Sequence, residues 1–177
     1  MPRRSSTLQE EIKQTRPFRS PAEEVVVSVL RTAAVVQRQL AQVVEEHGIT
    51  IQQYNVLRIL RGAGDAGLPT LAIRDRMVEE AAGITRLLDK LEAAGYVVRE
   101  RCTPDRRQVL CQVTPLGVRL IAELEAPMDA ANQRAASMLE QGEEQQVVDL
   151  LGAIRAACVG RGTGRGQGSA RAGHPAR

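Results

Sequence analysis

The residues whose types and spacing could do chemistry gather in the middle of the chain. Thr85, Arg86 and Lys90 lie in one stretch, and Asp105, Arg106 and Arg107 in another. All but Asp105 are hydrogen-bond donors and most are cations, so the chemistry they suit is recognition of a polyanion rather than bond-making. Thr85 and Arg86 can donate to base edges or phosphate oxygens, and Lys90, one helical turn on, suits phosphate. Ala82 and Gly83 are small enough to let a backbone come close. Arg106 and Arg107 suit a narrow minor groove, whose potential favours arginine. Asp105 can support them by pairing with an arginine or fixing a turn. Catalysis finds little here. No His/Asp/Glu set clusters, no Ser or Cys nucleophile has a base in evidence, and the glycine-rich stretch 62–67 lacks a phosphate-binding lysine. We therefore expect no enzyme and no cofactor. The three cysteines, Cys102, Cys111 and Cys158, form no Cys-x-x-Cys, and the histidines are only His47 and His174, so no metal site is expected.

The elements around these residues read as helix, helix, wing. Ile84, Leu87, Leu88 and Leu91 recur at i, i+3, i+4 and i+7, which marks a one-faced helix over about Glu80–Ala94, ended by Gly95. A shorter helix precedes it, opened by Leu68-Pro69-Thr70 with Thr70 as its cap, with Leu71, Ala72 and Met77 as buried candidates. Two strands follow, 96–101 and 109–113, around the turn Thr103-Pro104-Asp105-Arg106-Arg107-Gln108. Before them, Pro21-Ala22-Glu23-Glu24 begins a helix to about Glu46, with Val26, Leu30, Ala33, Gln37, Leu40 and Val44 on one face, and Thr50 caps the next. After them, Thr114-Pro115 opens a long helix with the face Val118, Ile121, Leu124, Met128, Ala131, Ala135, Met138 and a kink expected at Pro127. A last helix, Glu143–Cys158, places Val147, Leu150, Leu151, Ile154 and Cys158 on one side. The fold class is mainly α with a small β-hairpin: a winged helix-turn-helix at about 50–114, flanked by helices at about 22–46 and 115–159.

Composition bounds the rest. At 177 residues there is room for one domain, here 21–160. Residues 1–20 carry five Lys/Arg against two Glu and read as a disordered basic arm with a short helical piece near Leu8–Gln14. Residues 161–177 carry four Arg and no acid and read as a disordered Gly/Arg-rich tail. The net charge of +3 therefore hides a body of −4, and DNA binding would need its positive charge gathered on one face. With no apolar run of membrane-spanning length and no apolar segment behind Arg3 and Arg4, a cytoplasmic protein without membrane contact is expected.

The chain resembles the MarR family of bacterial winged-helix regulators over about Val25–Val159. The resemblance rests on Gln53-Tyr54-Asn55-Val56-Leu57, the ITRLLDKLEAAGYV run of 84–97, Pro104-Asp105-Arg106-Arg107-Gln108 and Val113-Thr114-Pro115-Leu116-Gly117. The family's Asp-x-Arg wing motif maps onto Asp105 and Arg107. The resemblance implies a homodimer held by the first and last two helices, DNA as partner, repression at a palindromic operator, and release by a small aromatic effector or, in a subset, by oxidation of cysteine. One departure stands out. Glu79-Glu80 precede the reading helix where relatives have a Ser/Thr- and Arg-containing turn. Either these glutamates point away from DNA, or affinity depends more on the wing and tails.

Sensing is less legible. Cys102 and Cys111 flank the wing on opposite strands and suit either a redox role or two ordinary strand positions. Tyr54 can line an effector pocket or simply fill the core. A winged-helix module that binds another protein without specific DNA is the alternative function.

Overall fold

The computed structural model describes residues 7–79, 83–101 and 109–159. They divide into two units, within 1–135 and 136–177.

The first unit begins inside the basic arm. Helix α1, Leu8–Glu11, is closed by a capping box in which the Thr7 hydroxyl accepts from the Glu10 amide and the Glu10 carboxylate accepts from the Thr7 amide. The helix coincides with the short helical piece expected near Leu8–Gln14, and Arg31 reaches back to Glu11 at 3.6 Å. Helix α2, Pro21–Glu45, has proline in its first turn and the Ser20 hydroxyl as its cap. The Glu23 carboxylate accepts from the Arg19 amide at 2.7 Å and pairs with its guanidinium, whose hydrogen bond holds Glu23 below the usual carboxylate range. Only Val44 of α2 is buried. Helix α3, Ile51–Ala63, is capped by Thr50 as expected, and Gln53, itself buried, returns the bond to the Thr50 amide at 2.8 Å.

The segment after α3 departs from expectation. A 3-10 turn fills 64–66, and Leu68–Pro69 forms strand β1 instead of opening a helix. The sheet order β1-β3-β2 leaves β1 at an edge, where proline's missing donor costs no ladder bond. Helix α4 is short, Thr70–Arg74, with Pro69 and not Thr70 at its cap, so it begins one residue earlier than expected. Ile73 turns inward and Leu71 is exposed. Helix α5, Ile84–Ala93, buries Ile84, Leu88 and Leu91, with half-buried Leu87 packed alongside. Strands β2, Val97–Arg101, and β3, Val109–Val113, pair antiparallel, Val97 opposite Val113 and Arg99 opposite Cys111.

Helix α6, Pro115–Ala136, continues through Pro127. It buries Leu120, Ile121, Leu124, Met128 and Ala131, whereas Val118 and Ala135 are exposed. The face is rotated from the expected stripe by Gly117. A Cβ there would stand 2.5 Å from the Tyr96 carbonyl oxygen and 2.7 Å from Val113 Cγ2, so the helix must present this bare position to the sheet. One apolar cluster joins these helices and strands, with Leu57 and Leu60 of α3 and Ile121 and Leu124 of α6 fully enclosed. Each such side chain contributes about 1.5–3 kcal/mol by leaving water.

The second unit, as described, is helix α7, Glu143–Val159, with its lead-in. Glu143 and Glu144 occupy the first turn, where the dipole favours acids. No residue of α7 is buried. Val147 and Leu150, expected to face a core, are exposed, and so is Cys158.

The close approach at Gly117 gives a direct prediction. Gly117→Ala should destabilise the protein by about 1–3 kcal/mol, because the added methyl meets backbone that cannot yield cheaply. Urea denaturation should show a lower midpoint at unchanged slope.

Candidate nucleic-acid interface and adjoining cavity

Helix α5 sorts its residues onto three faces, and burial assigns them. Ile84, Leu88 and Leu91 point into the core. Thr85, Asp89 and Glu92 share a flank at helical spacing. Arg86 and Lys90, four apart, lie away from the core; both are exposed, and neither forms an ion pair with a described residue. Gly83 sits at the helix cap with open space where a side chain would be. Of the other residues singled out in the sequence, Ala82, Asp105, Arg106, Arg107 and Cys102 lie outside the described residues, as does Glu80.

The flank is occupied by a residue that the sequence did not single out. Arg99 of β2 donates from Nη2 to Asp89 Oδ1 at 2.7 Å and to the Thr85 carbonyl at 3.3 Å, while Nη1 stands 3.6 Å from Glu92. Its side chain is 21% exposed, and its Nε is buried with no partner among the described residues. One guanidinium thus pins α5 to the sheet and pairs with two of its acids. Asp89 is engaged within the fold. The consequence is electrostatic: the acids of α5 are tied to the sheet, and its cations are left facing solvent.

Glu79 answers the question raised by the acidic turn. Its Oε1 accepts from Gln37 Nε2 of α2, and its Oε2 from Gln52 Nε2 of α3 at 3.4 Å. It points back into its own domain.

Beside it lies a cavity of about 190 Å³ among α2, α3, the turn before α5, and α6. Leu40, Ile51, Tyr54, Met77 and Met128 make its apolar lining, and Glu79 stands in its wall. Tyr54 is buried in the core and lines this cavity. Burial pushes its phenol above the usual range, partly offset by Arg58, whose guanidinium lies 5.9 Å from the ring centre.

Cys111 is fully buried. Burial pushes its thiol up, opposed by a hydrogen bond with Thr70. Its ladder neighbours are Arg99 in β2 and Leu68 in β1. A buried thiol whose pKa is raised offers little accessible thiolate; Cys102, the other residue of the redox reading, lies outside the described residues.

Comparison with known proteins follows from this geometry. A family model described as MarR family matches residues 47–108, the winged-helix portion. The uncharacterized HTH-type transcriptional regulator YkoM of Bacillus subtilis is 32% identical over 108 residues, 60% of this chain and 68% of that protein. The crystal structure of a MarR transcription factor from Planctomyces limnophilus aligns at 31% identity with a TM-score of 0.60, over 77% of this chain and 99% of that one. The structure of CouR from Rhodococcus jostii RHA1 bound to p-coumaroyl-CoA aligns at 26% identity and a TM-score of 0.65, over 77% and 95%.

Two measurements check the site. Arg99→Met should cost about 1 kcal/mol of stability by urea denaturation, a value set by partly exposed ion pairs, and should weaken duplex binding without removing a phosphate contact. In a Cys102→Ser/Cys158→Ser background, Cys111 should react with a thiol reagent only as fast as the protein opens. Prompt labelling of the native protein would contradict its assignment as a packed core thiol.

Proposed function

Because this chain belongs to the MarR family of transcriptional regulators, we propose that it acts as a homodimeric repressor that binds a palindromic operator and is released by a small ligand. The observation that carries the DNA reading is the division of α5. Arg86 and Lys90 stand exposed on a helix whose acids are held by Arg99. A helix of this kind fits the major groove, where an arginine can bond guanine bidentately and a lysine can meet phosphate. Thr85, Gly83 and Ala82 adjoin it at the end that approaches the base edges. Asp105, Arg106 and Arg107 are assigned to the wing and the minor groove. The reading as a protein-interaction module drew on the acidic body and on the Glu79-Glu80 pair, of which Glu79 turns towards Gln37 and Gln52.

Exposed apolar side chains support the dimer. Val25, Val26 and Leu30 of α2, and Val147, Val148 and Leu150 of α7, are each at least 38% exposed in the single chain. These are the helices expected to join two copies, and soluble monomers rarely leave large apolar patches open to water. The ligand reading is supported by the cavity beside Tyr54 and by the acyl thioester bound to CouR. Among the described residues no helix is long and apolar enough to cross a membrane.

Sedimentation should give twice the 19.3 kDa chain mass, and Leu150→Asp should shift it towards the monomer. On a duplex selected by the protein from random sequence, Arg86→Ala should cost about 1–3 kcal/mol and relax specificity at one position, whereas Lys90→Ala should weaken all duplexes and lower the salt slope by about one. Equal binding of selected and random duplexes by the unaltered protein would instead favour the interaction module.

A further inference from the structure

The glutamate that departs from the family pattern occupies a mechanical position. Helix α4 ends at Arg74, Met77 packs against the core, and Val78 is exposed, so Glu79 is the last described anchor before α5 begins at Ile84. Its two oxygens are held by amides from two different helices, Gln37 of α2 and Gln52 of α3. The same three residues also line two cavities. One is the apolar cavity of about 190 Å³, and the other, about 380 Å³, is shared with Arg38, Glu45 and Thr50. The Gln37–Glu79–Gln52 bridge is therefore a wall between an apolar space and a polar one.

We propose that Glu79 is a positioning residue that ties the turn leading into α5 to α2 and α3, and that the effector is an apolar body bearing a hydrogen-bond donor, a hydroxyl or an ammonium, which takes this carboxylate from the two amides. The proposal rests on the ligand-released repressor reading above. Three features support it. A cavity of about 150 Å³ accepts a benzene ring, so the apolar side has room for a one-ring molecule. Glu79 has no cation paired to it among the described residues, so its carboxylate is open to a short hydrogen bond from a hydroxyl or an ion pair with an ammonium. Both amide partners are neutral side chains on exposed or half-buried positions and can turn to water when displaced. Losing them frees the turn, and with it the start of the helix carrying Thr85 and Arg86. A ligand whose only polar group is an acceptor or an anion meets the carboxylate unfavourably and leaves the bridge intact.

The test uses the full chain, its selected duplex and three probes with one apolar body: 4-propylphenol, 4-propylbenzylamine and the ether 4-propylanisole. Mobility-shift titration and thermal shift are read together. The expected result is that the phenol, the amine or both raise the melting temperature and weaken the duplex complex at least tenfold, while the ether does neither. Comparing phenol with amine then distinguishes hydroxyl from ammonium ligands. Without probe, Gln37→Ala/Gln52→Ala should weaken the complex several-fold at an unchanged salt slope, because no phosphate contact is lost. Glu79→Gln should keep its melting temperature and lose discrimination between phenol and ether. Equal response to all three probes, no response to any, or retained discrimination in Glu79→Gln overturns the assignment of Glu79 while leaving the repressor reading standing. A chain that forms no sequence-specific complex under any condition overturns both.

Discussion

The structure depends on one junction, where the carbonyl of Tyr96 receives the start of α6. The Thr114 amide donates to that carbonyl at 3.0 Å, and the Thr114 hydroxyl donates to the Gly95 carbonyl at 2.7 Å and accepts from the Gly117 amide at 3.1 Å. Gly95, at φ 75°, ends α5 by turning the chain in a region that other residues rarely adopt. Four element ends meet within these few residues: the close of α5, the first residues of β2, the last of β3 and the cap of α6. Because Gly117 has no side chain, α6 can settle onto the sheet at this point, and its buried face follows from there.

From that junction the interface takes its form. The sheet holds β2 in place, β2 presents Arg99, and Arg99 engages one flank of α5. A ten-residue helix would have little order by itself. Its core face and this guanidinium together determine which side turns outward, and the outward side carries Arg86 and Lys90. The opposite end of α5 is approached through Glu79, anchored on α2 and α3. Helix α5 is thus held along one flank by the sheet, and the segment before it is held by α2 and α3, with a cavity beside that second hold. On the proposed reading, this arrangement would link a small ligand, a subunit interface and a DNA contact through a few side chains.

Much of this was legible in the sequence because it is local. The 3.6-residue repeat of Ile84, Leu88 and Leu91, the cap at Thr50 and the opening of α6 at Thr114-Pro115 are all short-range signals, and the structure carries each of them. What escaped was non-local. Leu68-Pro69 reads as a helix start, since only the presence of β3 opposite makes it a strand. Arg99 sits ten residues from Asp89 and gains meaning only when β2 folds back beside α5. The direction of Glu79 depends on Gln37, forty-two residues away. The centre of the α6 face, Ile121, Leu124, Met128 and Ala131, is buried as expected; at its start the buried positions are Gly117 and Leu120 and not Val118, since a helical wheel cannot reveal that Gly117 lies against Tyr96. Cys158, expected on a buried face, is exposed in the single chain, whereas Cys111, for which an ordinary strand position is one of two readings, is buried.

On the proposed function, two copies of α5 read one duplex from the same side. Guanine N7 methylation protection on the selected duplex reports on this, since that atom lies in the major groove. Two protected patches are expected, related by the operator's two-fold axis, centred one helical turn of about 10 base pairs or a whole multiple apart, and both fading together in Arg86→Ala. A single protected patch, or protection without that spacing, would contradict it.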